Sequence, residues 1–428
     1  MKFFYLSVVV LLFLMPIQVR SQVVHPPLDT QVSSAHGEFS ITLINRIQNY
    51  SRLESSTFDK DIRSPKSVNI HPDGTKYYVN SLEGGRTVVY ATGSNEKLKV
   101  IKHEFTEEDS LLWSKPSGLF EFTHYDENLN TFRGKPVESA FSHDGRYLWV
   151  PYYRRSYDIN AQDPSAVAVI DTRTDSIIRL METGPLPKMV AVSPDDCYVA
   201  ITHWGNNTVG IINIDSESPE DWYYESCVTV KNKLSLSFSL ITSVDRDINS
   251  GLCLRGTVFT PDGRYLLVGC MGGKGGIAVI DLNDFSYRGH IYGMKPNLRH
   301  IVIFDDYVYL SINKDGYLQR ILLPTLYEAI DQMENGIVTL SDWQSCKVEA
   351  GARTIDITPD GRYVVAACNF GSCLVVVDTE SFTEVARIAA DSYPVGLDIS
   401  KDGKYVYSTS QGRDGGGGNC VDIYQMDY

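Results

Sequence analysis

A tight turn of the form Pro-Asp-Gly, set between two β-patterned runs, recurs along the chain and constrains its fold more than any other feature. The copies are His71-Pro72-Asp73-Gly74, Ser142-His143-Asp144-Gly145, Ser193-Pro194-Asp195-Asp196, Thr260-Pro261-Asp262-Gly263, a shortened Phe304-Asp305-Asp306, Thr358-Pro359-Asp360-Gly361 and Ser400-Lys401-Asp402-Gly403. Aspartate caps such a turn through its side chain, and glycine supplies the positive φ that residues with a Cβ resist. Aromatic and β-branched residues follow, as in Tyr265-Leu266-Leu267-Val268 and Tyr363-Val364-Val365, which suits the second strand of a hairpin.

A third run then ends in aspartate at Val169-Ile170-Asp171, Val279-Ile280-Asp281 and Val377-Asp378, and a fourth leads to the next turn. Each unit is therefore read as four strands. Successive turn aspartates (73, 144, 195, 262, 305, 360, 402) are 71, 51, 67, 43, 55 and 42 residues apart. The base period matches the ~40 to 45 residues of a propeller blade, and the excess marks insertions. Four-stranded antiparallel units stack radially, so the predicted fold is all-β, a seven-bladed β-propeller of four-stranded antiparallel blades. The seventh unit reaches Tyr428 after three strands, so a β-patterned N-terminal segment at about residues 40–61 is expected to supply the fourth and close the ring.

The segments resemble the YVTN-repeat family of β-propellers, whose blades carry the same order of strand, Ser/Thr-Pro-Asp-Gly turn and Tyr-Val-x-x. The resemblance covers residues from about Pro65 to the C-terminus and implies fold more sharply than activity. It implies kinship with lactonase-like propellers, the haem domain of nitrite reductases and exported bacterial propellers that bind or organise other molecules. The blade aspartates do not stand in the Trp-Asp pairs of WD40 repeats.

The chain opens with Lys2, an apolar run from Phe3 to Met15 and Val19-Arg20-Ser21, the pattern of a signal peptide over residues 1–21. The expected mature chain, residues 22–428, is then one exported domain, periplasmic or extracellular, with no transmembrane segment, and is read as a monomer. A formal charge of -14 argues against nucleic acid as a partner. Eight cysteines are few for a disulfide scaffold; Cys368 with Cys373 and Cys227 with Cys253 are the pairs the spacing suggests. Nothing predicts a metal site or a cofactor.

Counting seven residues back from each turn aspartate, and from Asp306 in the short fifth unit, gives Lys66, Val137, Lys188, Arg255, Arg299, Arg353 and Val395. Five are basic in an acidic chain, and they fall where the innermost strand of each blade meets one mouth of the channel. A cationic collar there predicts an anionic small molecule, an acidic glycan or another exported protein as partner. Loops expected at the same mouth add Tyr152, Tyr153, Arg154, Arg155, Trp204, Asn206, Asn313, Lys314, Asn369 and Arg413. Insertions at about His103 to Lys135 and Glu217 to Leu252 are expected to leave from that side, as lids or partner surfaces. Glu138 and His300 beside the collar, and His203 in a loop, are the candidate acid–base residues. The readings in order are a non-catalytic binding propeller, a lactonase-, glycosidase- or lyase-type enzyme acting on an acidic sugar at the same face, and an interaction scaffold.

Overall fold

A computed structural model describes residues 23–50, 57–122, 128–234, 244–412 and 416–428. The expected signal peptide, its cleavage site near Ser21 and Arg413 lie outside the described residues. Seven sheets, each built on four antiparallel strands, stand around a central axis. Their innermost strands are Pro65–Ile70, Ala140–Ser142, Pro187–Val192, Leu254–Phe259, Leu298–Phe304, Ala352–Ile357 and Pro394–Ile399, one for each of blades 1 to 7. No helix among the described residues is long and apolar enough to cross a membrane.

The turn motif behaves as its chemistry requires. Asp262 Oδ1 accepts from Thr260 Oγ1 at 2.7 Å and from the Arg264 amide at 3.1 Å, and Asp360 and Asp402 repeat the arrangement. Gly263 takes φ +69° and Gly361 +73° to turn the chain back. In blade 3 Asp196 holds the glycine position at φ +57°. The strands that follow are apolar on both faces because each blade is sandwiched between two others. In Tyr363–Cys368, Val365 and Ala367 pack toward blade 7 while Val364 and Ala366 pack toward blade 5. Seven apolar clusters result, one at each blade interface.

The long spacings have separate causes. Blade 5 inserts a helix, Leu323–Asp331, whose Leu326 and Ile330 cover blade 4, and then a strand, Ile337–Thr339, that joins Ser286–Tyr292 of blade 4 in parallel. Blade 7 is closed by the N-terminal strand Ser40–Gln48, paired antiparallel with Cys420–Asp427, as the sequence predicted. Gln31–Ser33 extends this sheet by a fifth strand. A buried ion pair fastens the closure: Arg46 Nε lies 2.5 Å from Asp422 Oδ1 and 3.7 Å from Asp391 Oδ2. Burial opposes the charge on Arg46, yet Asp422 beside it raises the guanidinium pKa.

Inside the channel the inner strands of blades 6, 7 and 1 are tied by carboxyl groups. The Ile399 amide donates to Asp356 Oδ2 at 2.9 Å, and the Ile70 amide donates to Asp398 Oδ2 at 2.6 Å. Asp356 and Asp398 also hydrogen-bond each other, so the pair holds a proton, and burial pushes Asp356 up to about 6. A carboxyl whose pKa is raised on folding stabilises the protein below its unfolded value, ordinarily near 4, and that contribution is lost as pH rises through about 6. Asp398→Asn keeps an acceptor for the Ile70 amide and gives Asp356 a permanent donor. Denaturant melts across pH 4–8 should therefore show the variant gaining on the parent above pH 6; an unchanged pH slope would remove the proton-sharing account.

Candidate functional site

Every basic residue of the predicted collar sits where an inner strand loses its regular register. The pairing of the first and second strands slips between Pro65 and Ser67, Pro187 and Met189, Leu254 and Thr257, Leu298 and His300, and Ala352 and Ile355. Each slip brackets one collar residue. A bulge re-aims its side chain, here off the sheet face and toward the axis. Glycines let the strands crowd beside it: a Cβ on Gly256 would meet the Ile301 nitrogen at 2.8 Å, and one on Gly396 the Ser67 Cα at 2.8 Å. Hydrogen bonds from Ser67 Oγ to the Val137 carbonyl, Ser311 Oγ to the Arg353 carbonyl and Thr354 Oγ1 to the Val395 carbonyl stitch the rim.

The collar residues converge. Lys66, Lys188, Arg255 and Arg353 are all buried, Arg299 is half-buried, and the charges of the three arginines bear on both lysines. Arg255, Arg299 and Arg353 line one small chamber with Glu138, His300, Met189 and Thr354. Two carboxylates face the five cations: Glu138 Oε1 lies 4.0 Å from Lys66 Nζ and Asp247 Oδ1 lies 3.1 Å from Lys188 Nζ. Burial first, and neighbouring arginines second, push both lysines well below the ordinary ammonium range and Arg255 down to about 10. The remaining donors are weakly answered. Arg255 Nη1 donates to the Lys188 carbonyl at 3.1 Å while its buried Nε has no partner. Among the described residues Arg299 Nη1 meets a thioether, Met271 Sδ, at 3.2 Å.

Of the predicted loop residues, Tyr153 and Trp204 reach the collar, with Lys188 Nζ 4.0 Å and 5.1 Å from their ring centroids. Several other loop residues have separate roles. Tyr152 is core, its hydroxyl 2.9 Å from His103 Nδ1. Arg155 is buried against Trp113 and Phe132 and bonds the Leu129 and Ser165 carbonyls, and Arg154 bonds the Ile159 carbonyl. His203 is buried, 2.8 Å from Thr183 Oγ1 and 2.7 Å from Thr208 Oγ1, and burial lowers its pKa to about 3. Asn206 accepts from Thr208, and Asn313 donates to the Ala352 carbonyl, so both shape loops. Asn369 is buried with its Oδ1 unpartnered. His300 stands in the chamber, but its Nδ1 engages the Ile355 backbone and burial lowers its pKa to about 4.

Both insertions leave from the collar side, but residues 111–117 of the first run down the outer strand of blade 2 to Glu220 and Trp222, and the bounds of the second need correction. In the first, Phe132–Pro136 pairs with the overhanging end of Tyr147–Arg155, and Lys135 Nζ bonds Glu83 Oε2 of a blade 1 loop at 2.8 Å. The second begins after the strand Tyr223–Thr229: residues 217–222 are instead a loop at the opposite mouth, where Trp222 stacks on His143 of the blade 2 turn at 5.4 Å. Residues 244–252 return over the collar and bring Asp247 to Lys188. Sequence reasoning missed Asp247, Met271 and Tyr393, whose hydroxyl accepts from Arg353; Asp247 lies outside the repeat register, whereas Met271 holds in blade 4 the position of Trp204 in blade 3, and Tyr393 stands two residues before Val395. All eight cysteines are free thiols. Cys368 and Cys373 are cross-strand partners as the spacing suggested, but Cys253 turns to Ser250 Oγ, 3.0 Å away, rather than to Cys227.

No protein-family model matches the chain, and no curated protein matches it. Among solved structures it is similar to Kuenenia stuttgartiensis hydrazine synthase, with a TM-score of 0.57 and 14% identity, over 84% of this chain and 96% of that one. At that identity the likeness speaks for the fold: the chain is an all-β propeller of seven four-stranded blades.

Proposed function

We propose that this chain is an exported propeller that binds an anionic small molecule, or an anionic group of a glycan or partner protein, at the cationic mouth of its channel. The carrying observation is the charge imbalance: arginines from blades 4, 5 and 6 line a small half-open chamber in which Glu138 is the one carboxylate among the described residues, and Lys66 and Lys188 of blades 1 and 3 stand beside it. Like charges held together out of water cost free energy that a bound anion relieves. Resemblance to YVTN propellers and the signal-like N-terminus support export. Binding rather than turnover is favoured because neither His203 nor His300 keeps a titratable proton near neutral pH.

Calorimetric titration with phosphate and glucuronate at two ionic strengths tests the reading. Affinity should fall as salt rises. Because Lys66 and Lys188 have depressed pKa values in the free protein, an anion that restores their charge draws protons in, and affinity should rise as pH falls. Buffers of different ionisation heat will register that uptake. No binding by any small anion, at either ionic strength, would end the proposal.

A further inference from the structure

The arginine chamber and the carboxylate beside Lys188 bear on which anion the collar takes; the inference rests on the collar reading above. We infer that the collar selects a compact tetrahedral dianion, a phosphate- or sulfate-type group free or at the end of a larger molecule, and that Asp247 is its built-in stand-in.

Three observations carry this. The half-open chamber between Arg255, Arg299 and Arg353 holds about 30 Å³, and one water needs roughly 10–15 Å³ of such space, so its depth takes about two waters or one oxyanion head, with any larger group left at the mouth. Its arginines come from the adjacent blades 4, 5 and 6, and Lys66 and Lys188 of blades 1 and 3 continue the collar outside its lining. A planar carboxylate presents its lone pairs in one plane, whereas a tetrahedral oxyanion offers oxygens in four directions to such a ring. Finally, Glu138 answers only one of the three arginine charges that line the chamber, and the two left over are met better by a dianion than by a monoanion.

Asp247 occupies the outer edge of this field. Its carboxylate lies 3.1 Å from Lys188 Nζ, and the charges of Arg255 and Lys66 also bear on it. It is held there by a braced turn: Asp245 Oδ1 accepts from the Asp247 amide at 2.9 Å, the Asn249 amide donates to the Asp245 carbonyl at 2.6 Å, and the Arg246 amide ties the turn to the Asn160 carbonyl at 3.0 Å. With its side chain 40% exposed, the carboxylate can swing to water when a stronger anion takes Lys188. It therefore competes with the ligand and sets the concentration at which the site fills.

The test compares inorganic phosphate, sulfate, glycerol phosphate, acetate and glucuronate on the full chain, on Asp247→Asn, on Asp247→Ser as a second variant in case the first misfolds, and on Glu107→Gln as a remote control for net charge. Phosphate and sulfate should outbind acetate and glucuronate. Equal binding of phosphate and glycerol phosphate would point to a terminal ester group, and preference for phosphate to the free ion. Asp247→Asn should tighten phosphate roughly tenfold while Glu107→Gln changes nothing. Carboxylates binding as well as phosphate would overturn the tetrahedral selection. Unchanged or weaker phosphate binding in both Asp247 variants would overturn the stand-in while leaving the collar reading in place. Absence of binding to the parent and both variants would instead remove the collar reading itself.

Discussion

A chain shortened to begin after Gln48 should fail to accumulate as a soluble monomer. The missing strand Ser40–Gln48 is the fourth strand of blade 7, and without it Cys420–Asp427 presents an unpaired edge rich in Val421, Ile423 and Tyr424. Such an edge templates association with another chain. The deletion also removes Arg46, leaving Asp422 and Asp391, both fully buried, without their cation. The single substitution Arg46→Ala isolates that second effect while keeping the strand. Removing one partner of a buried pair costs about 3–5 kcal/mol because the other charge stays behind unpaired. Thermal melting and gel filtration should therefore show Arg46→Ala as a monomer that melts well below the parent, and the truncation as aggregate. The double variant Arg46→Met with Asp422→Leu should recover part of the loss, since only Asp391 then stays buried, with His25 Nδ1 at 2.7 Å and the Tyr50 hydroxyl at 2.8 Å still beside it. Parent-like melting of the truncated chain would mean that the ring does not depend on this closure.

What the sequence made legible followed the repeat. The turn Pro-Asp-Gly has a local cause, so it could be counted, and counting back from it found all five collar cations, Lys66, Lys188, Arg255, Arg299 and Arg353, although the bulges that aim them inward leave no mark in the pattern. Closure by the N-terminal strand was legible for the same reason, as the one strand the count lacked. Loop residues were not. Tyr152 and Arg155 follow Trp149 in a strand that overhangs the blade, and an insertion folds down onto them and takes them into a core. His203 looked polar and exposed in sequence, but the hydroxyls of Thr183 and Thr208, one on a different blade, let it be buried neutral. Asp247 belongs to an insertion outside the repeat register, so only its three-dimensional return over Lys188 reveals it.

Arg255→Met and Arg299→Met should separate the binding and folding roles of the collar, because the two move in opposite directions. If the cations exist to hold an anion, removing one takes away a charge-assisted hydrogen bond in a desolvated chamber, at a cost of about 1.5–3 kcal/mol, or roughly 10- to 150-fold in affinity. The same change relieves repulsion within the collar, where Arg353 disfavours the charged form of Arg255, and Arg255 and Arg353 disfavour that of Arg299. Methionine fills similar space, and only one side-chain bond is lost at each site, to the Lys188 carbonyl or to Met271 Sδ. The ligand-free variants should therefore melt at or above the parent's temperature. Adding phosphate should then raise the melting temperature of the parent, by up to about 2.7 kcal/mol of stabilisation at a hundred times the dissociation constant, and barely move that of the variants. Arg255→Lys should retain most of the effect only if a point charge suffices in place of the planar fork. A structural collar would give the reverse outcome: variants that melt lower without ligand and respond to phosphate as the parent does.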